Sequence, residues 1–458
     1  MNIQNEIIKN STWSGWLKDY VESENQRRLR IQKLYKEYKG KVAVLERTMD
    51  DPLKKNNRLP NDYRGLIVDQ CVGYLFGNPV TYTIEGDYPD HIRERVGTYF
   101  SRWINQQSTD DLDYTTGKYM AVCGVAYRLA YINTKGMESV CHVDPWECNV
   151  IKDGRTGLPQ YGVRFYTVTE TYNGTNYELI QAEVYDEKTI YLLKQNPEKD
   201  FIMQEGYPKP HGFVGVPLIE YENNDEQMGD FEKVAKLIDA MDYTLSDVQN
   251  EIEEFRNAYM VLKGAEVDED DLQSIRQTGA IQIPPDADVS FLTKQIDDAF
   301  IENHKKTLNE HIYKFSHSVD MGDDKFSGGS QSGESRKYKL LPLENKAKTK
   351  ERKFVKANRD MFACLASVWQ VKGMPVDPLD ISMQFTRNLP IELKSEAEMV
   401  DKLAGHISQE TLFTLLSFIS DPQKEKDMIL KEKMDEPVID LDEFEEVDGD
   451  GVNPYDPD

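Results

Sequence analysis

The sequence predicts an α+β protein, and three observations carry that reading. The first 124 residues are helical in pattern apart from one short strand. Residues 125–222 turn rich in Val, Ile, Tyr and Thr. Two long helical segments, 229–257 and 297–319, then flank a small mixed module.

Taken in order, residues 1–55 are charged and helical, with Leu29, Leu34 and Tyr38 on a mostly polar helix over 22–41. YRGLIVDQCVGYLFG (63–77) is an apolar helix stopped by Gly77 and Pro79. VTYTI (80–84) follows as a strand, then helices over 88–107 and 110–124. The β region reads as strands VAYRLAYIN, ESVCHVD, YGVRFYTVTETY, NYELIQAEVYD and TIYLLKQ, with Asn173–Gly174 as a hairpin turn between two of them. HGFVGVPLIEYENND (211–225) closes it.

The helix over 229–257 has Asp230 as its expected N-cap. Phe231, Val234, Ile238, Met241, Leu245, Val248, Ile252 and Phe255 follow spacings that alternate three and four, an unbroken heptad seam. Two readings stay open: an ordinary long core helix, or a rod whose narrow stripe packs against copies of itself or a neighbouring rod. Residues 258–296 read as strands around a short helix, and the second long helix returns over 297–319. A further helix over 335–371 carries Pro342, which is expected to kink or restart it. Lys337, Lys339, Lys346, Lys348, Lys350, Arg352, Lys353, Lys356 and Arg359 crowd that helix. They read either as a solvated face pairing with acids elsewhere or as phosphate contacts. A β segment (376–390), two or three amphipathic helices (395–436) broken near Gly405 and Asp421–Pro422, and an acidic Pro/Gly-rich tail expected to be disordered complete the chain.

Composition narrows the function. The chain has 458 residues, 81 acidic against 55 basic, and a formal charge of −26. Such a surplus repels phosphate over most of a surface, so a tight sequence-unspecific grip on nucleic acid is not expected. No run of eighteen apolar residues exists, which argues against a membrane span, and the N-terminal segment lacks the pattern of a secretory signal. Five cysteines without C-x-x-C spacing fit a reducing compartment. Cys141, His142 and Cys148 match no standard zinc spacing, and no metal or cofactor is expected. Seven scattered histidines, no H-E-x-x-H and no G-x-S-x-G give no support for an enzyme.

GGSQSGES (328–335) nearly matches the phosphate-cradling loop, with Gly328, Gly333 and Ser335 in place. Glu334 stands where that loop needs lysine, and a helix rather than a strand is expected before it. The reading is therefore helix, flexible Gly/Ser loop, helix.

NNRLPNDYRGLIVDQCVGYLFGNPVTYTIEG (56–86), and within it Val68–Asp69 and Tyr74 to Tyr82, resembles the early segment of tailed-bacteriophage portal proteins of the SPP1 type. HVDPWECNVIKDGRTG (142–157) and HGFVGVPLIEYENND resemble later segments of that family, and the likeness covers most of residues 56–390. The resemblance implies the portal fold: a ring, usually of twelve subunits, with an α/β wing (1–228), stem helices (229–257 and 297–319), a clip (258–296), a tunnel loop (320–339), a long kinked helix (335–372), a wing return segment (373–391), crown helices (392–436) and an acidic tail (437–458). It implies a DNA channel at the capsid vertex of the virion, assembled in the host cytoplasm. Its partners are then double-stranded DNA passing without sequence specificity, the terminase large subunit, a head-completion or adaptor protein, and major capsid and scaffolding proteins. By that resemblance Asp323, Asp324, Lys325, Phe326, Ser327, Gly328, Gly329, Gly333, Glu334, Arg336 and Lys337 line the channel, the heptad seam joins neighbouring subunits, and Asp268, Glu269, Asp270 and Asp271 face the adaptor. A ring of such chains carries a charge on the order of −300, to which DNA does not stick. The alternatives are a non-portal self-assembling scaffold or interaction protein, and a nucleotide-dependent DNA enzyme.

Overall fold

The computed structural model describes residues 13–51, 54–172, 174–255, 259–264, 285–292, 298–322, 333–389, 400–416, 419 and 422–435. The chain divides into two units, Met1–Asn388 and Leu389–Asp458.

The first unit begins with helices α1 (Trp13–Ser23) and α2 (Asn25–Tyr38). Aromatic side chains on α1 fix it against a sheet: the Trp13 and Tyr191 rings lie 4.7 Å apart, and Leu17 is buried among Tyr161, Val163 and Phe165. Helix α2 uses arginines instead. Arg28 lies over the Phe165 ring at 4.5 Å, and Arg30 reaches Glu232 at 2.7 Å. Helix α3 (Tyr63–Phe76) is apolar on most sides because it is buried on most sides. Asp62 caps it by accepting from the Gly65 amide, and it stops before Gly77 as the sequence predicts.

Strand β1 (Thr81–Ile84), α4 (Asp90–Gln107) and α5 (Thr109–Cys123) follow. Helix α5 ends on Gly124 at φ +80°, where an added Cβ would lie 2.0 Å from the Gln227 carbonyl oxygen. Only glycine satisfies both the left-handed turn and that close approach.

The β region splits into two sheets. Strands β2 (Val125–Ile132), β3 (Glu138–Val143) and β10 (Leu218–Glu222) form one, in the order β10-β2-β3. The other runs β4 (Cys148–Lys152), β5 (Pro159–Tyr172), β6 (Thr175–Tyr185), β7 (Thr189–Gln195), β8 (Phe201–Met203), with β9 (Lys209–Pro210) also on β7. The β5–β6 hairpin closes with Tyr172 opposite Thr175 and Gly174 at φ +78°, the two-residue turn that Asn-Gly predicts.

Helix α6 (Ala235–Phe255), strands β11 (Tyr259–Lys263) and β12 (Asp288–Leu292), and helix α7 (Asp298–Ser316) make a helix-out, helix-back excursion. Strands β11 and β12 pair antiparallel at its tip. Helix α8 (Gly333–Val371) is continuous through Pro342, so the expected restart is not found. Pro342 leaves the Tyr338 carbonyl without its helical donor, and both residues are exposed. Strand β13 (Ile381–Gln384) then returns to pair with β1. One large core joins α3, α4, α5, the three-stranded sheet and α8, with Phe76 against Phe354 and, separately, Phe100, Trp103, Phe362 and Trp369 in ring contact.

In the second unit, Gly405 at φ +84° marks the break the sequence predicts. Ser408 caps α9 (Gln409–Thr414), and Pro422 opens α10 (Pro422–Asp435), a position where its missing N–H is harmless.

Candidate functional site

The heptad seam divides along its length. Phe231 and Val234 lie ahead of α6, Val234 within a 3-10 turn, so the predicted single helix starts later than residue 229. Phe231, Val234, Ile238 and Met241 are buried inside this chain, in the same cluster as Leu308 and Ile312 of α7. For these four residues that agrees with the core-helix reading, because their own chain already covers them. Leu245 and Val248 are half-buried, and Ile252 is 46 % exposed. Phe255 is the last residue of α6. Asp268, Glu269, Asp270 and Asp271 lie outside the described residues.

The opposite face of α6 is polar and docked. Asp242 accepts from the Asn61 amide at 2.8 Å, Ser246 from the Leu59 amide at 3.0 Å, and Asn250 from the Asn57 amide at 2.8 Å. One helical side chain per turn thus satisfies the extended backbone that leads into α3. Arg64 of α3, buried, closes the join with Asp239 at 2.6 Å.

The segment before the Gly/Ser loop is helix α7, not a strand, which removes the structural context a phosphate loop needs. Asp323, Asp324, Lys325, Phe326, Ser327, Gly328 and Gly329 lie outside the described residues. Gly333, Glu334, Arg336 and Lys337 belong to the first turns of α8, so the loop is shorter than the predicted 320–339. The incoming end of the loop and the body of α8 beyond it are both tied to α3. On the incoming side, Val319 donates to Gln70 Oε1 at 2.8 Å, and Gln70 Nε2 donates back to the Val319 carbonyl at 2.7 Å. On the outgoing side, Tyr74 donates to Glu344 at 2.7 Å, and Arg387 reaches Glu344 at 2.9 Å and Glu351 at 2.6 Å. Burial would push Glu344 up, but Arg387 and Tyr74 hold it below the ordinary carboxylate value.

Much of the basic run on α8 is neutralised by acids, as one of the two sequence readings has it. Lys350 donates to Asp230 at 2.6 Å, and Lys346 lies 3.3 Å from the same carboxylate. Asp230 is therefore no N-cap; its carboxylate turns away from α6 and into α8. Lys353 donates to Glu222 at 2.8 Å and Asp225 at 2.5 Å. Burial alone would raise Glu222, yet Lys152 and Lys353 pull it down to about 2.

Two further buried charges escaped the sequence reading. Arg128 lies within the apolar strand β2 and donates to Asp113 at 2.7 Å and Thr116 at 2.8 Å, with its guanidinium 4.6 Å from the Tyr221 ring centroid. Glu138 accepts from Tyr99 at 2.6 Å and from Trp369 Nε1 at 2.8 Å, and pairs with Lys372. The available signal was a charge inside an otherwise apolar segment, which demands a partner wherever that segment is buried. Among the described residues no His, Cys, Asp and Glu cluster has the arrangement of a metal site, and no helix is long and apolar enough to cross a membrane.

A family model described as phage portal protein, SPP1 Gp6-like, matches residues 17–437. The chain is 26 % identical over 400 residues to the portal protein of Bacillus phage SPP1, an overlap that covers 82 % of this chain and 76 % of that one. It is 21 % identical over 421 residues to the portal protein of Clostridium phage phiCD119, covering 86 % and 89 %.

Proposed function

The chain belongs to the SPP1 Gp6-like family of phage portal proteins and has a portal's function in packaging phage DNA, and from this premise we propose how its parts divide that work. The family is structural rather than catalytic, and it implies oligomeric assembly within a virion capsid.

In this reading about a dozen copies close into a ring. The α6–α7 hairpin is the stem, the segment around β11 and β12 is the clip, the loop between α7 and α8 rims the channel, and the second unit forms the crown. The motor that hydrolyses ATP, the terminase large subunit, docks from outside, so this chain needs no nucleotide site. A head-completion or adaptor protein later takes its place at the clip, through Asp268, Glu269, Asp270 and Asp271. Major capsid and scaffolding proteins surround the ring. Assembly occurs in the host cytoplasm.

The observation that carries this reading, beside the family match, is that the segment entering the loop and the helix leaving it are both tied to one buried helix, α3. A loop that tracks a passing helical rod has to move while its base stays fixed. Gly328, Gly329 and Gly333 supply the backbone freedom. Asp323, Asp324 and Glu334 repel phosphate, and Lys325, Arg336 and Lys337 make brief contacts with it. The stem seam narrows to Leu245, Val248 and Ile252, the stretch its own chain leaves least covered.

Negative-stain imaging and native mass measurement of the purified chain test the assembly. Closed rings with a central hole are expected, and a stable monomer at high concentration overturns the reading. Deleting Ser327 to Ser332 leaves those rings intact and lowers the DNA packaged or retained per particle. Loss of rings on deletion would instead make the segment a structural joint.

A further inference from the structure

The cations of α8 fall into two rows with different fates. Lys346, Lys350 and Lys353 form the inner row and are bound to Asp230, Glu222 and Asp225. Lys348, Arg352, Lys356 and Arg359 recur at spacings of four, four and three, which places them on one face, and all four are exposed. Arg352 and Arg359 have no hydrogen-bond or ion-pair partner among the described residues, and Lys356 has only a coulombic interaction with the exposed Asp360, four residues on. Lys348 lies 3.7 Å from Glu344, a weak surface contact at 57 % exposure.

We propose that this outer row is a contact for the phosphate backbone of duplex DNA. The inference rests on the portal reading and goes beyond it by assigning the contact to residues outside the loop.

Three observations favour DNA over a neighbouring protein surface. The row has one sign. On α7, by contrast, the exposed Glu302, Lys306, Glu310 and Lys314 alternate in sign at four-residue spacing. The row is also wholly charged, whereas the cores of protein interfaces are depleted in charge. Finally, the chain carries −26 overall, and the inner row already takes Asp230, Glu222 and Asp225, which leaves the four outer cations only Glu344 and Asp360 as interacting acids among the described residues.

Geometry suits the ligand. The row spans about 16 Å at the helical rise, while duplex DNA presents a charge about every 1.7 Å of its axis. Laid along the duplex, such a row would meet phosphates at any register, which is what conduction without sequence preference requires. The contact is exposed and short, so salt screens it and it holds DNA only briefly. The inner row contributes rigidity: it fixes the helix to Asp230 and Glu222, so the outer row is presented on a stiff support.

The test compares the full-length protein with Arg352→Gln/Lys356→Gln, using fluorescence anisotropy of a short labelled duplex over a salt series. The expected result is weaker binding, equal across DNA sequences, with the magnitude of the log affinity against log salt slope reduced by about two. A Lys306→Gln/Lys314→Gln variant on α7 leaves the slope unchanged. Unchanged affinity and slope in the α8 variant overturn the proposal. So does loss of the parent's particle mass, which would assign the row to a contact between copies. Failure of the portal reading is separate, because it shows as absence of rings in the unaltered protein.

Discussion

Asp230→Ala lowers the free energy of unfolding by about 3–5 kcal/mol, read from the denaturant midpoint of the full chain. The size follows from what is left behind. Lys350 is buried, and its ammonium would lose its one close carboxylate among the described residues. Lys346 loses the same partner, and Asn223, which donates to Asp230 at 3.0 Å, loses an acceptor. Asp230→Asn keeps the shape and removes the charge, so it recovers little. Asp230→Leu with Lys350→Met removes both charges and recovers most of the loss.

The same site predicts a pH dependence. Burial would raise the Asp230 carboxyl, but Lys346 and Lys350 pull it below its ordinary value. An unfolded aspartate titrates near ~3.9. A carboxyl lower in the folded state stabilises fully above that value and ceases to do so as pH falls through its folded value. The stability difference between the parent and Asp230→Ala is therefore flat at neutral pH and narrows below about pH 4. A difference that grew on acidification would show that the ion pair is not its source.

Arg128→Met is the second large effect, also about 3–5 kcal/mol. Asp113 is buried, and Arg128 is its one ion-pair partner among the described residues. Tyr82 also donates to Asp113, at 2.7 Å, while Tyr221 and Asn358 share the guanidinium, so the loss spreads to β1, β10 and α8. A double-mutant cycle with Asp113→Leu isolates the pair: the double variant is more stable than Arg128→Met alone. An additive double variant would falsify the assignment of the loss to an unpaired Asp113.

What the sequence made legible follows from how local the signal was. Helix α3 carries its cap, its apolar run and its stop between Asp62 and Gly77, so its limits are readable. The β5–β6 hairpin is set by one Asn-Gly turn. The start of α6 was misread because the heptad count runs straight through Phe231 and Val234, although the backbone there is a turn held by Glu232 and by contacts with α5. Periodicity reports which residues share a face, and it cannot say whether that face meets the same chain or another. For the same reason the basic run on α8 could not be divided from sequence. Its inner row is defined by Asp230, Glu222 and Asp225, more than a hundred residues away.

The pairing of β1 with β13 has a consequence for synthesis. Thr81 to Ile84 bond to Gln384 to Ile381, segments roughly three hundred residues apart. A ribosome adding about 5–20 residues per second takes roughly 15–60 s to cover that interval. Throughout that time the nascent β1 has no native mate, and many identical chains are emerging together. Tyr82 and Ile84 are then an adhesive edge, open to the same strand of a sister polypeptide. Fewer copies in synthesis at once lower the chance of that pairing, so slow, sparse translation of this chain favours its yield.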